Sequence, residues 1–281
     1  MRDSELVEVE GLKLRVSRRG SGPPLLLLNG IGANLDLFEP LRECLSGRET
    51  IAIDAPGTGG SDTPLYPIRL RRIARIVVGL LDRLGYEQVD VLGVSWGGTL
   101  AQELAFRHPE RVRQLVLCAT ACGWTSVPGD LRTLRVLATP RRYFSPTYFR
   151  EIAPILYGGA IREDPDLLRR QGHLRLLRPP SIRGYFWQMA ALRGWTSLPW
   201  LHRLPHPTLV LAGGDDPLVP PVNARLLARR IPDATLHVLP SGGHLFVLTH
   251  PEEVGRRILR FLDGGASDTQ QNRSRETLAA E

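Results

Sequence analysis

Ser95, Asp216 and His244 are the residues of this 281-residue chain whose types and surroundings fit one chemistry, attack by an activated hydroxyl. A serine hydroxyl is a poor nucleophile until a base takes its proton, and the base needs a partner that orients it. Ser95 lies in Gly93-Val94-Ser95-Trp96-Gly97, between a β-branched apolar run and a helical pattern. At so tight a strand-to-helix turn the serine takes a strained backbone conformation. Side chains two residues away on either side would collide with the strand and helix, so both positions are glycine. The pentapeptide alone recurs by chance in many chains; its strand-to-helix setting makes it a nucleophile elbow.

For such a serine the acid and then the histidine follow in chain order. The acid is expected after a later strand, where Leu209-Val210-Leu211-Ala212-Gly213-Gly214-Asp215-Asp216-Pro217 offers two carboxylates. Asp216, before the proline, is preferred; Asp215 is its local alternative, and the one not used is read as a solvated loop carboxylate. The histidine is expected after the last strand. Ser241-Gly242-Gly243-His244 stands there, with glycines that let a loop carry the imidazole back over the serine. His108, His173, His202, His206, His237 and His250 are expected on the surface or in packing.

Attack on an ester creates an oxyanion that needs donors already aimed at it. The expected donors are the backbone N–H of Trp96, next after the nucleophile, and that of Ile31 in the turn Asn29-Gly30-Ile31-Gly32. A tight strand-to-helix bend alone would also explain Gly30 and Gly32. Asp54 and Asp62, around the Gly/Pro-rich loop 55–64, are given structural roles. No phosphate-loop lysine, metal-ligand cluster or cofactor box is visible, so neither a cofactor nor a metal is expected.

The elements that must position these residues follow from periodicity. Residues 5–9 and 12–18 alternate apolar and polar around Glu10-Gly11, an opening hairpin. Short apolar runs at 24–28, 50–54, 112–118, 208–211 and 235–239, with the run into Ser95, read as strands. Residues 35–45, 68–84, 221–230 and 251–262 read as helices, as does the stretch after Ser95. This alternation predicts an α/β fold: a mostly parallel central sheet with helices on both faces, built from residues 1–120 and 204–263. Residues 121–203 break the alternation and hold 11 of the 18 aromatics, mixed with prolines and helical fragments. Inserted there, they would sit above the C-terminal edge of the sheet as a helical cap or lid over the serine. A small subdomain whose aromatics pack only on each other would have the same composition. Residues 264–281 are polar and small, a predicted disordered tail.

The apolar fraction of 42% and charged fraction of 23% are those of an ordinary globule, and no apolar stretch approaches a membrane span. The charged start MRDSELVEVEG is unlike a secretory signal. Cys44, Cys118 and Cys122 lack paired or metal-ligand spacing and point to reduced thiols, so a cytoplasmic location is expected. Cys118 and Cys122 read as small residues at a strand end, with a redox pair as the alternative. The net charge of +7 is lopsided: residues 121–200 hold 12 arginines against 5 acids, and the remainder balances. A solvated surface in an arginine-biased chain explains this; so would a basic face meeting an anionic surface or carboxylate-bearing products. No nucleic-acid-binding module is visible, and nucleic acid is not an expected partner.

The stretches NGIGANL (29–35), DAPGTGGSDTP (54–64), GVSWGG (93–98), PRRY (140–143), APILYGG (153–159), GWTSLPW (194–200), PTLVLAGGDDPLVP (207–220) and GHLF (243–246) carry a resemblance. They resemble the intracellular depolymerases of medium-chain-length poly(3-hydroxyalkanoates), α/β-hydrolases that act on storage granules. The resemblance spans roughly residues 5–262, the insertion included. It implies an α/β-hydrolase fold with the catalytic serine, aspartate and histidine at Ser95, Asp216 and His244. It implies hydrolysis of polyester to 3-hydroxyalkanoic acids or oligomers through an acyl-enzyme, with the granule surface as partner. The approach to the histidine, Leu239 to Gly243, is one residue longer than the family's, and the polar tail has no clear counterpart. The same triad would serve a small-molecule carboxylesterase or a C–C bond hydrolase, and the fold without catalysis would serve a granule-binding or receptor protein. Side-chain length preference, product size and oligomeric state are not legible in the sequence.

Overall fold

A computed structural model describes residues 4–164, 167 and 174–264. Eight strands form one sheet: β1 (Glu5–Val9), β2 (Leu12–Arg19), β3 (Pro24–Leu28), β4 (Glu49–Ile53), β5 (Val89–Val94), β6 (Val112–Cys118), β7 (Thr208–Gly213) and β8 (Ala234–Leu239). Their spatial order is β1-β2-β4-β3-β5-β6-β7-β8. β2 runs antiparallel to β1 and β4, and every other pairing is parallel.

The strand sequences follow from double coverage. In β3, Leu26 and Leu28 enter one core while Leu25 and Leu27 enter the other. A parallel strand buried on both faces needs apolar side chains at every position, hence a run of four leucines. The helices Leu70–Leu84, Trp96–Arg107 and Val222–Arg230 cover the first face; the segment from Leu35 and the helix Pro251–Leu262 cover the second. The expected helix over 35–45 is divided into a 3-10 turn, Leu35–Phe38, and a short helix, Glu39–Glu43. The Asn34 side chain accepts the Asp36 N–H at 3.1 Å and fixes the turn. Pro40, which has no N–H to continue that turn, sits in the first turn of the helix that follows.

Between β6 and β7 the described residues form the helices Leu131–Leu137, Pro146–Tyr157, Ala160–Glu163 and Ile182–Ala191 and the 3-10 turns Pro140–Tyr143 and Leu201–Arg203. Phe149, Ile152, Leu156, Tyr157 and Ile161 make a small core of their own, whereas Tyr143 and Tyr185 join the main core. Polar contacts pin this segment to the loops at the C-terminal strand ends. Asn34 Nδ2 donates to the carbonyls of Leu174 and Arg178 at 3.0 and 3.1 Å, and Trp187 Nε1 to that of Pro64 at 3.0 Å. Trp195 Nε1 reaches the Glu103 carboxylate at 2.8 Å. Gly184 meets Gly57 so closely that a Cβ on it would lie 2.2 Å from the Gly57 carbonyl oxygen.

All but the first residue of the expected tail, and His173, lie outside the described residues. Among those described, no helix is long and apolar enough to cross a membrane. The three cysteines are free, and burial pushes the Cys118 thiol well above its ordinary range.

Candidate active site

Ser95 follows the last residue of β5 with φ 54° and ψ −115°, a backbone region costly for a residue with a side chain. Its surroundings hold it there. The Ser95 N–H donates to the Cys118 carbonyl at 2.9 Å, and its own carbonyl accepts from Thr120 Oγ1 at 2.7 Å. A Cβ on Gly93 would lie 2.4 Å from the Gly97 oxygen, and one on Gly97 2.1 Å from the Leu28 oxygen. Gly98 is equally constrained, since its Cβ would lie 2.5 Å from Thr120.

β7 and β8 bring the other two residues to the same edge. Asp216 Oδ1 accepts the N–H groups of Leu218 and Val219 at 2.9 and 2.8 Å, which fixes the carboxylate within its own turn. Its Oδ2 lies 2.8 Å from His244 Nδ1, and His244 Nε2 lies 3.1 Å from Ser95 Oγ. A carboxylate only accepts, so the proton is assigned to Nδ1, and Nε2 is left to accept from the serine hydroxyl. Asp216 and His244 are both buried. Asp215 points elsewhere: its Oδ2 accepts the Gly159 N–H at 2.7 Å and pairs with Arg162 at 3.1 Å. It is therefore a tie to the inserted segment rather than simply a solvated carboxylate.

The histidine loop is gripped from that segment too. The His244 N–H donates to the Tyr157 carbonyl at 2.7 Å, and the two rings stack with centroids 6.3 Å apart. A Cβ on Gly243 would lie 2.1 Å from the Tyr157 oxygen, so glycine there permits the approach. Among the other described histidines, His206, His237 and His250 lie against groups away from Ser95. His206 Nε2 is 3.2 Å from the Ala105 carbonyl, His237 lies 3.7 Å from Glu253, and His250 meets Thr249 at 2.8 Å. Burial lowers the pKa of His206 and of His237.

Among the described residues, neither the Ile31 nor the Trp96 N–H has an acceptor. The turn that carries Ile31 is clamped by two contacts that the sequence does not show, and Trp96 by a third. The Tyr143 hydroxyl donates to the Ile31 carbonyl, and Gln188 Oε1 accepts the Gly32 N–H at 2.8 Å. The Gln188 carbonyl accepts from Trp96 Nε1 at 3.0 Å. Gly32 has φ 69°, and a Cβ on it would lie 2.8 Å from the Tyr143 ring, so more than a tight bend requires glycine there. In the sequence Tyr143 is visible as the end of the PRRY motif and as one of the aromatics of residues 121–203. Gln188 gave no signal, because a polar residue at a helical position reads as surface.

Asp54 and Asp62 hold loops. Asp54 is fully buried and accepts the N–H groups of Leu35 and Gly60 at 2.6 and 2.8 Å, and Asp62 accepts that of Lys13 at 2.8 Å. Ser95 and His244 open on a cavity of about 50 Å³ whose walls include Ile31, Tyr143, Leu218 and Leu248. Among the described residues, no group of three or more His, Cys, Asp or Glu is placed to hold a metal ion. A hydroxyl, a base, an orienting carboxylate and two unengaged N–H donors around a small, mostly apolar space are the parts that acyl transfer needs.

The family described as alpha/beta hydrolase fold matches residues 23–151 and 173–251 of this chain. The poly(3-hydroxyalkanoate) depolymerase of Ectopseudomonas oleovorans is 48% identical over 276 residues, covering 97% of this chain and 94% of that protein. The 2-hydroxymuconate semialdehyde hydrolase of Pseudomonas putida is 31% identical, covering 90% of this chain and 91% of its own. Among solved structures, a meta-cleavage product hydrolase from Pseudomonas fluorescens IP01 matches with a TM-score of 0.80 at 24% identity, covering 93% of this chain and 98% of that one.

Proposed function

The chain belongs to the α/β-hydrolase family and, within it, to the poly(3-hydroxyalkanoate) depolymerases, and we propose that Ser95, His244 and Asp216 are the catalytic triad with which it hydrolyses the ester bonds of such polyesters. The hydrogen bonds of 2.8 Å from His244 to Asp216 and 3.1 Å from His244 to Ser95 carry this reading. His244 Nε2 takes the hydroxyl proton as Ser95 Oγ attacks the ester carbonyl. The N–H groups of Ile31 and Trp96 hold the oxyanion, while Asp216 orients and stabilises the charged imidazole. The imidazolium gives its proton to the departing alkoxide and leaves an acyl-enzyme. Water deprotonated by His244 then releases the acyl group as a 3-hydroxyalkanoic acid or oligomer, and Ser95 regains its proton.

In this reading residues 121–203 are a cap on a core of residues 1–120 and 204–263. Trp124, Leu131 and Ile182 stand exposed on the cap, as do Arg132, Arg135 and Arg183. Such a surface suits seating on a storage granule in the cytoplasm. The cavity of about 50 Å³ is well below the roughly 300–1,000 Å³ of an ordinary ligand cleft. A polyester strand therefore requires the cap to shift, and the same tightness favours a small-molecule carboxylesterase as the second reading.

Amorphous granules incubated with wild-type and Ser95→Ala protein test the proposal. Hydroxy acid is expected from the wild type only, and equal release from both overturns the mechanism. Turnover of soluble short-chain esters with none on granules selects the second reading.

A further inference from the structure

Among the described residues, two arginines of the cap behave unlike the others. Arg132, Arg135, Arg141, Arg150, Arg183 and Arg193 face solvent, whereas Arg142 and Arg175 turn inward with 2% and 4% of their surface exposed. The Arg175 guanidinium lies 5.1 to 5.3 Å from the ring centres of Tyr143, Phe149 and Tyr157. That of Arg142 lies 4.7 Å from the Tyr143 ring and 5.1 Å from that of Tyr185. Arg142 Nη1 donates to the Tyr185 hydroxyl at 2.8 Å and the Thr139 carbonyl at 3.2 Å, while its Nε is buried without an acceptor. Among the described residues no carboxylate pairs with either arginine, and the Arg175 guanidinium has no hydrogen-bond acceptor.

A buried, unpaired cation is strongly destabilising, and aromatic faces offset only part of that cost. The Tyr143 and Tyr185 phenols do not neutralise it, because their hydroxyls already donate to the carbonyls of Ile31 and Leu137. Both arginines line the cavity that holds Ser95 and His244, and among the described residues no aspartate or glutamate lines it. A permanently charged fork facing an acid-free cavity is built to receive an anion, and the planar match is to a carboxylate.

We propose that Arg175, with Arg142 beside it, binds the free carboxylate at the end of the substrate chain, so that 3-hydroxyalkanoate units are released from the carboxyl terminus. This rests on the ester-hydrolase reading of Ser95. A linear 3-hydroxyalkanoate chain has one free carboxylate, on its last unit, and the 3-oxygen of that unit is the leaving oxygen of the last ester. With the carboxylate anchored, Ser95 attacks that ester and the bond to the 3-oxygen breaks. The terminal unit departs as a 3-hydroxyalkanoate, taking its proton from His244. The rest of the chain remains as the acyl-enzyme until water releases it with a new carboxylate end, the same group the site recognises.

Trimers of 3-hydroxyoctanoate with a free carboxyl end, and the same trimers as methyl esters, differ in that charge and in one terminal methyl group, and the rate compared is that of cleavage at the last internal ester. The wild type is expected to favour the free acid by about ten- to hundredfold in kcat/KM, mostly through KM. Arg175→Met, which keeps length and packing, and Arg142→Met bring the ratio toward one, and Arg175→Lys restores part of it. Labelling of Ser95 by a fluorophosphonate identifies which variants are folded. Equal rates for acid and ester in the wild type overturn the carboxylate site and leave the hydrolase reading standing. Calorimetry on Ser95→Ala protein with 3-hydroxyoctanoate and its methyl ester reads the site without turnover. Tighter binding of the acid, lost on adding Arg175→Met, is expected; equal binding of the two overturns the site. If the wild type cleaves neither trimer while Ser95→Ala protein still prefers the acid, the carboxylate site stands and the hydrolase reading falls.

Discussion

The strand-end loops and the cap contribute to one site through different kinds of constraint. On the core side each reactive group is fixed within a few residues of the strand it follows. Ser95 is held by glycines that leave no room for a Cβ, and Asp216 by the N–H groups of Leu218 and Val219. On the cap side the contacts cross the chain: Tyr143 to Ile31, Gln188 to Gly32 and Trp96, Tyr157 to His244. In the proposed mechanism the first region makes the nucleophile and its base. The second clamps the turn that carries Ile31 and the loop that carries His244, and its inward arginines would supply the charge that selects what enters. On that proposal chemistry is written locally and selectivity at long range.

If the relay belongs to the core alone, Asp216→Asn should be the most damaging change that leaves the cap untouched. The asparagine oxygen can still accept from Leu218 and Val219, so the turn survives, but its amide favours the wrong imidazole tautomer. A fall in kcat of about 10⁴-fold is expected for soluble esters, with fluorophosphonate labelling of Ser95 slowed in parallel. A loss below tenfold would move the orienting role to another acid, Asp215 first.

The same division explains what could be read from the residues. The elbow, the acid turn and the histidine loop were legible because each is a short segment with its own steric rule, such as glycines at 93 and 97 or a carboxylate ahead of Pro217. The doubly covered sheet was legible from runs such as Leu25–Leu28, which no surface strand would carry. The division of 35–45 was not, because hydrophobic periodicity continues through Pro40 while the hydrogen-bond ladder does not. The arginine surplus of residues 121–200 was visible, but its partition was not: composition cannot separate Arg132 on the surface from Arg142 among tyrosines. Nor could it show Gln188 reaching Gly32, which lies 156 positions earlier.

Asp54 tests how far the core loops are stabilised independently of the cap they seat. Burial raises its carboxyl from 3.8 to about 6, although the N–H groups of Gly60 and Leu35 and the Arg15 guanidinium favour the ionised form. The folded protein therefore holds this proton more tightly than the unfolded chain does. The associated stability is present below about pH 4 and is lost as the pH rises toward 6, then stays flat. Asp54→Asn cannot titrate, so the stability gap between wild type and variant in urea unfolding should narrow by about 2 to 3 kcal/mol from pH 4 to 6. A gap that widens would mean that Arg15 makes the ionised carboxylate the favoured form.

The smallest expected effect bears most directly on the cap's share in catalysis. The Tyr143 hydroxyl and the Gln188 side chain touch no reacting atom; they act through the turn that carries the Ile31 N–H. Removing an oxyanion donor outright costs about a hundred- to a thousandfold, whereas loosening its support should cost one hydrogen bond, about 1 kcal/mol or roughly fivefold. Tyr143→Phe is therefore expected to lower kcat on a short soluble ester about fivefold with KM close to wild type. Adding Gln188→Ala should cost less than the two single changes combined, because both clamp the same turn. Full additivity with the whole effect in KM would reduce both residues to packing, and the turn after β3 would then owe its shape to the core alone.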